Sequence, residues 1–79
     1  MEVEIYSKRN CGYCDKAKIK LQKYDPKIQM LDQDYTREEF FTKFPNAKTF
    51  PQIVINNENI GGYYELKKWL AFNLPDEDF

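Results

Sequence analysis

The stretch KRNCGYC, residues 8–14, decides how the rest of this sequence is interpreted. It holds both cysteines of the chain, with two residues between them, in a sequence that contains no histidine. Residues 2–6 before it have the pattern of a short buried strand, and residues 13–24 after it carry apolar side chains at spacings of three and four. A strand that leads through a polar turn into a helix places Cys11 at the helix N-terminus and Cys14 one turn further.

Three interpretations of this cysteine pair remain open at this point. A structural disulfide would close a loop of only four residues and would remove little freedom from the unfolded chain. The second interpretation is that the pair forms half of a zinc site, although structural zinc takes four ligands and the sequence offers two thiolates and no imidazole. A redox dithiol is the third, and the strand–helix context favours it.

In the redox interpretation the position of each sulfur matters, because only the thiolate attacks a disulfide. Unpaired N–H groups and the positive end of the helix dipole stabilise an anion at a helix N-terminus. We therefore expect Cys11 to be the nucleophile and Cys14 the resolving thiol. Lys8 is either a cationic partner of the Cys11 thiolate or a solvated loop lysine.

Composition excludes several other classes. Seventy-nine residues make one small domain, and a net charge of −1 gives no electrostatic footprint for nucleic acid. The sequence has no run of about 18 apolar residues, so we expect no membrane span. Residues 1–4 have no secretory pattern, so we expect a reducing cytoplasm. The absence of histidine removes catalysis by Ser-His-Asp or Cys-His groups.

The remaining residues predict the other elements of one α/β layer domain. A second strand is expected within residues 27–34, and Thr36 with Glu39 forms a capping-box pattern before a second helix. That helix ends before Pro45, and its three phenylalanines are expected in the core: Phe40, Phe41 and Phe44.

The last third of the sequence predicts a hairpin and a helix. The hairpin consists of a strand at residues 52–55, a turn at 56–59 and a second strand that begins at Ile60. Gly61 and Gly62 end it. A final helix is expected at 64–73, with a frayed acidic tail at 75–79. The order β-α-β-α-β-β-α predicts a mixed four-stranded sheet with three helices.

With these motifs in order, the chain resembles the glutaredoxins of the thioredoxin-fold superfamily. The segment from Lys8 to Cys14 resembles the family's K-x-x-C-P-Y-C active site. Residues 49–55, TFPQIVI, resemble its T-V-P-Q-I-F-I segment, and residues 60–63 resemble its G-G motif before the last helix.

The resemblance implies a thioredoxin fold over residues 1–79 and a dithiol oxidoreductase that uses glutathione. Such an enzyme reduces protein disulfides and glutathione mixed disulfides, and we expect it to act as a monomer. Cys11 would be the nucleophile, and Lys8 would meet the glycine carboxylate of glutathione. The other residues implied for the site are Tyr13 beside the thiol, Phe50 with cis-Pro51 pairing with the cysteine part of glutathione, and Gly62, Tyr63 and Tyr64 holding its γ-glutamyl end.

Two departures from the family pattern suggest alternatives. Gly12 stands where proline usually follows the first cysteine, and the usual acidic pair is replaced by Tyr64 and Glu65. Gly12, Thr49 and Glu65 are therefore treated as supporting residues, with Glu65 a substitute for the acidic residue that binds the γ-glutamyl amine. One alternative is a thioredoxin-like electron donor to a protein such as ribonucleotide reductase. Another is a dimer that bridges a [2Fe–2S] cluster through Cys11 of each chain and two glutathiones.

Overall fold

The computed structural model describes residues 1–73, and the acidic tail expected at 75–79 lies outside the described residues. Its elements in chain order are β1 (Val3–Ser7), α1 (Gly12–Leu21) followed by a 3-10 turn (Gln22–Tyr24), β2 (Lys27–Met30), α2 (Arg37–Lys43), β3 (Gln52–Ile55), β4 (Glu58–Gly61) and α3 (Tyr63–Asn73).

Within residues 1–73 the four strands form one mixed sheet in the order β2-β1-β3-β4. β1 is parallel to β2 and antiparallel to β3, and Ile5 is in register with both Ile28 and Ile53. The sheet and its three helices confirm the expected thioredoxin fold. Because β1 is a central strand, the loop that follows Ser7 begins in the middle of the sheet edge.

Alternation along the strands divides the core into two layers. Ile5, Ile53 and Ile55 face α1 and α3, which contribute Ala17 and Leu66 among other buried side chains. The opposite face is aromatic, with four buried members and partly buried neighbours that include Tyr6 and Phe50: Tyr35, Phe40, Phe44 and Val54. The cysteine loop and the loop before β3 leave the sheet between these two layers.

Element boundaries differ from the sequence expectations in several places. β1 covers Val3–Ser7 rather than residues 2–6, and α1 begins at Gly12 rather than at residue 13. The α-helical part of α1 ends at Leu21, and Asp25 with φ of 51° ends the 3-10 turn that follows it. β4 begins at Glu58 rather than Ile60, because Asn56 and Asn57 both have positive φ and complete the turn by themselves. α3 begins at Tyr63, one residue earlier than expected.

The expectation that three phenylalanines of α2 are buried is wrong for one of them. Phe40 and Phe44 are 2% and 4% exposed, but Phe41 is 48% exposed. Residues four apart share a helix face, whereas adjacent residues do not, so Phe41 points away from the sheet that Phe40 and Phe44 cover. The capping box is confirmed: Glu39 N–H donates to Thr36 Oγ1 at 3.1 Å, and Thr36 N–H donates to Glu39 Oε1 at 2.9 Å.

Candidate active site

The two cysteines occupy different environments although they are one helical turn apart. Cys11 is the N-cap of α1, with extended backbone angles (φ −125°, ψ 102°), and its Sγ accepts a hydrogen bond from Cys14 N–H at 3.2 Å. The two residues are joined by a disulfide, and their Cα atoms are 5.2 Å apart. Cys11 is half-buried, whereas Cys14 is fully buried on the stripe that continues through Ala17 and Leu21.

The turn into α1 depends on Asn10 rather than on Gly12. Asn10 has a positive φ of 54°, as the sequence led us to expect of a turn residue. Gly12 does not have the left-handed backbone that favours glycine, and a Cβ added there would meet no atom within 4 Å. Neither space nor backbone geometry therefore requires glycine between the cysteines.

The loop before β3 has the geometry that the resemblance implied. The Phe50–Pro51 peptide is cis, and Pro51 is fully buried. The side chain of Gln52 donates from Nε2 to Thr49 O at 2.9 Å, which ties the start of β3 to the loop in front of it.

A stack of three aromatic rings supports Phe50 from the core side. The Phe50 ring lies on Phe40 with centroids 4.5 Å apart and planes 19° apart, and Phe40 in turn stacks on Tyr35 at 5.8 Å and 24°. The Tyr35 hydroxyl donates to Ser7 O at 2.6 Å. The stack therefore connects the end of β1, which leads to Cys11, with the residue that precedes Pro51.

Tyr35 was not among the site residues predicted from the sequence, although the sequence contains a signal for its burial. Tyr35 directly precedes the N-cap Thr36, and Phe40 is the fourth helical residue, which is the spacing of a hydrophobic staple. Burial, followed by the nearby Tyr6, raises the pKa of Tyr35 to about 12.

The start of α3 requires both of its glycines. Gly61 has φ of 121°, and a Cβ on Gly62 would lie 3.0 Å from Thr49 Oγ1. Gly62 N–H donates to Glu65 Oε1 at 2.7 Å. The sequence suggested that Glu65 replaces the acidic residue that binds the γ-glutamyl amine. In the structure its carboxylate instead accepts a hydrogen bond from the start of its own helix.

Lys8 lies beside the Phe50 end of the ring stack. Its Nζ is 5.6 Å from the centroid of the Phe50 ring, and it lines a groove of about 370 Å³ together with Arg9, Asp32 and Arg37. Arg37 was not among the predicted site residues. It is the first residue of α2, where the helix dipole disfavours a cation, and this unfavourable position was the feature of the sequence that could have indicated a role for it.

The three tyrosines implied for the site are also brought together. The Tyr13 ring lies 5.6 Å from Tyr63 and 6.3 Å from Tyr64, measured between centroids. Among residues 1–73, no group of three or more His, Cys, Asp or Glu side chains is placed to hold a metal ion. In the same residues no helix is both long and apolar enough to cross a membrane.

A thioredoxin-type sheet that carries a cysteine pair at the first turn of α1 defines a thiol-disulfide oxidoreductase, and the Cys11–Cys14 disulfide is its redox-active group. The sequence model of the glutaredoxin family matches residues 3–60. The chain belongs to the glutaredoxin family.

Individual relatives agree with this assignment. Glutaredoxin 3 of Escherichia coli strain K12 is 38% identical over 66 residues, which cover 81% of this chain and 80% of the relative. Glutaredoxin 1 of the same strain is 30% identical over 83 residues, covering 94% and 98%. The crystal structure of glutaredoxin 1 from Francisella tularensis complexed with cacodylate has a TM-score of 0.74 at 28% identity and covers 95% of this chain and 96% of that one. A buckwheat glutaredoxin–glutathione complex, 21% identical, shares the fold with a TM-score of 0.64 over 95% of this chain and 74% of its own.

Proposed function

We propose that this protein is a glutathione-dependent thiol-disulfide oxidoreductase in which Cys11 attacks the substrate and Cys14 resolves the product. One observation carries the proposal: Cys11 is accessible at the N-cap of α1, while Cys14, one turn away, is fully buried. An external disulfide can therefore reach the first sulfur and not the second.

The chemistry follows from this order. With a glutathione mixed disulfide, the Cys11 thiolate attacks the glutathione sulfur, and the substrate thiolate leaves and takes up a proton. A second glutathione thiolate then attacks the Cys11-bound glutathione, which yields glutathione disulfide and restores the Cys11 thiolate. With a protein disulfide, the Cys11 thiolate attacks one sulfur and displaces the other as a thiolate, which takes up a proton, so that Cys11 and the substrate form a mixed disulfide. The Cys14 thiolate then attacks Cys11 Sγ, releases the reduced substrate and leaves the Cys11–Cys14 disulfide for two glutathiones to reduce.

The thiolate on Cys11 is stabilised by backbone groups rather than by a general base. The Cys14 N–H already points at Cys11 Sγ from 3.2 Å, and the open end of α1 directs its dipole at the same atom. The sequence contains no imidazole, so these groups do the work that histidine does in other thiol enzymes.

Glutathione would lie across the loop that contains Phe50. Lys8 and Arg37, which line one groove, suit the glycine carboxylate, and the backbone of Phe50 suits the cysteine part. The γ-glutamyl carboxylate would meet backbone N–H groups of Tyr63 and Tyr64, since Gly62 N–H already donates to Glu65. The buckwheat relative in complex with glutathione supports this substrate for the fold.

Turnover of a small glutathione mixed disulfide, with glutathione as reductant, tests the proposal. Cys11→Ser should abolish activity. Cys14→Ser should retain turnover of the mixed disulfide, which needs one thiol, and lose reduction of protein disulfides. No turnover by the wild-type protein, with both thiols reduced and titratable, would refute glutathione-dependent reduction.

A second function, a thioredoxin-like electron donor, is favoured by the hydrogen bond of Glu65. Because its carboxylate is bound to Gly62 N–H, it is less available to a γ-glutamyl amine. Reduction of the Cys11–Cys14 disulfide by a thioredoxin reductase, but not by glutathione, would select this function, and ribonucleotide reductase is then the acceptor to test. Anaerobic reconstitution with iron, sulfide and glutathione tests the [2Fe–2S] dimer, which requires a coloured dimeric product.

We further propose that residues 1–79 act as one domain and as a monomer in the cytoplasm. The two core layers of residues 1–73 are built on a single sheet, which supports one folding unit. We expect size-exclusion chromatography with light scattering to give the molar mass of a monomer. We also expect the protein to unfold in one cooperative transition.

A further inference from the structure

Three tyrosine rings in mutual contact form an exposed surface beside the cysteine pair, here called the tyrosine surface: Tyr13, Tyr63 and Tyr64. The Tyr63 and Tyr64 centroids are 6.5 Å apart, and Tyr13 lies within 6.3 Å of both. Tyr13 is 47% exposed and Tyr64 is 64% exposed. Contiguous exposed aromatic surface of this kind is typical of interaction sites, because tyrosine offers a large apolar face with a polar edge.

The tyrosine surface lies where a substrate must approach. Tyr13 is in the first turn of α1, between the accessible Cys11 and the buried Cys14 in sequence, and Tyr63 and Tyr64 begin α3. A polypeptide whose disulfide reaches Cys11 therefore places its neighbouring residues against these rings. Glutathione in the pose proposed above would meet the backbone at the start of α3, whereas a polypeptide would also cover the exposed faces of the rings and reach the side chains around them.

Two lysines make this surface cationic. Lys16 Nζ is 5.1 Å from the Tyr13 centroid, and Lys67 Nζ is 5.9 Å from Tyr63 and 6.0 Å from Tyr64. Both lysines are exposed, and within residues 1–73 neither forms an ion pair.

The acidic side chains of the two helix starts are already engaged. Asp15 is 4.0 Å from Lys18 Nζ, and Glu65 accepts from Gly62 N–H. A ligand at the tyrosine surface therefore meets aromatic faces and two ammonium groups that are not paired with these carboxylates.

We propose that the tyrosine surface, with Lys16 and Lys67, is the docking site for an acidic polypeptide segment that carries an aromatic side chain next to the substrate disulfide. The aromatic side chain would pack on the tyrosine rings, and the carboxylates would pair with the two ammonium groups. This inference rests on the proposed function, since it assumes that the segment arrives with a disulfide for Cys11.

Single-turnover reduction of synthetic peptides tests the inference without glutathione. Three peptides of the same length are compared, each with one intramolecular disulfide. The residues beside the disulfide are Glu and Phe in the first peptide, Lys and Phe in the second, and Glu and Ser in the third. In the reaction the protein dithiol becomes the Cys11–Cys14 disulfide while the peptide disulfide becomes two thiols, so two electrons and two protons are transferred. Acid-quenched samples separated by chromatography give the rate constants at limiting peptide.

The peptide with Glu and Phe should react about tenfold faster than the peptide with Lys and Phe, a ratio that two exposed charge pairs can supply. High salt should reduce this ratio, because exposed pairs are screened. The peptide with Glu and Ser should also be slower than the one with Glu and Phe. Equal rates for all three peptides would overturn the inference.

Charge reversal provides the matched control. The double variant Lys16→Glu/Lys67→Glu should prefer the basic peptide. Lys27→Glu makes the same charge change at the start of β2, in register with Glu4 and at the opposite end of the strand from the cysteine loop, and should keep the wild-type preference.

An unchanged preference in the double variant would refute the role of these lysines, and single Gln substitutions check that the reversal acts through charge. The two proposals fail separately. Turnover of a small mixed disulfide without peptide discrimination overturns only the docking site, whereas no reduction of any disulfide overturns both.

Discussion

Removing the hydroxyl of Tyr35 tests the ring stack that supports Phe50. In the structure this hydroxyl donates to Ser7 O at 2.6 Å, and the ring is buried between β1 and α2. Tyr35→Phe keeps the ring, and therefore the stacking on Phe40, while it deletes one hydrogen bond. The variant thus separates the polar connection from the packing.

The size of the effect at neutral pH follows from the surroundings of the Ser7 carbonyl. The same oxygen accepts Leu31 N–H at 3.0 Å, so it keeps a partner when the hydroxyl is removed. A loss that leaves no unsatisfied group costs the net value of one hydrogen bond, about 0.5–1.5 kcal/mol. We expect Tyr35→Phe to lower the free energy of unfolding by about 1 kcal/mol at pH 7.

Alkaline pH should reverse this order of stability. Burial raises the pKa of Tyr35 to about 12 in the folded protein, against about 10 in an unfolded chain. Between these values the unfolded state loses the proton and the folded state keeps it, so wild-type stability falls as pH rises. The fall amounts to at most about 3 kcal/mol, and the variant lacks it. The plots of unfolding free energy against pH for the two proteins should therefore cross between about pH 10 and 11.

Urea unfolding of the oxidised proteins, followed by far-ultraviolet circular dichroism from pH 7 to pH 12, measures both effects. The other five tyrosines are common to the two proteins and largely cancel in the difference. Tyr64→Phe, at an exposed ring, is the control and should change stability at pH 7 by less than about 0.5 kcal/mol. A difference between wild type and Tyr35→Phe that stays constant with pH would refute the reasoning.

Four further substitutions test packing and helix starts by urea unfolding. Phe40→Ala should lower the free energy of unfolding by about 3–5 kcal/mol, because the ring is 2% exposed. Phe41→Ala, at a ring that is 48% exposed, should lower it by less than about 1 kcal/mol. Equal losses would contradict the assignment of helix faces. Glu65→Ala should lose about 1 kcal/mol with the hydrogen bond from Gly62 N–H, and an unchanged midpoint would show that this bond contributes nothing. Gly61→Ala should cost at least about 1 kcal/mol, because φ is 121° and the new Cβ would lie 2.8 Å from Glu65 Cγ, and a neutral result would exclude this strain.

Features that depend on near neighbours in sequence were predictable. Residues 52–55 were assigned their observed bounds, because Ile53, Val54 and Ile55 form an apolar β-branched run next to Pro51. Cys11 was placed at a helix start because the spacing of Cys14 and the apolar residues after it has a helical period.

Features that depend on contacts between distant segments were missed. Arg37 joins Lys8 at one groove only because the loops after β1 and β2 meet in space. The bond between the Glu65 carboxylate and Gly62 N–H is local in sequence and was missed for another reason: it depends on the backbone path through Gly61, which sequence spacing does not reveal. Phe41 was a different case, since the helical period that placed Phe40 and Phe44 on one face already put Phe41 on another.

The unequal burial of Cys11 and Cys14 also determines how the protein withstands peroxide. An oxidant that reaches the half-buried sulfur of Cys11 converts it to a sulfenic acid, the first step of a series that becomes irreversible at the sulfinic acid. The buried thiol of Cys14 lies one helical turn away and can condense with that sulfenic acid, which forms the disulfide and releases water. The same sulfur that completes a reduction thus returns accidental damage to a state from which thiols can recover the enzyme.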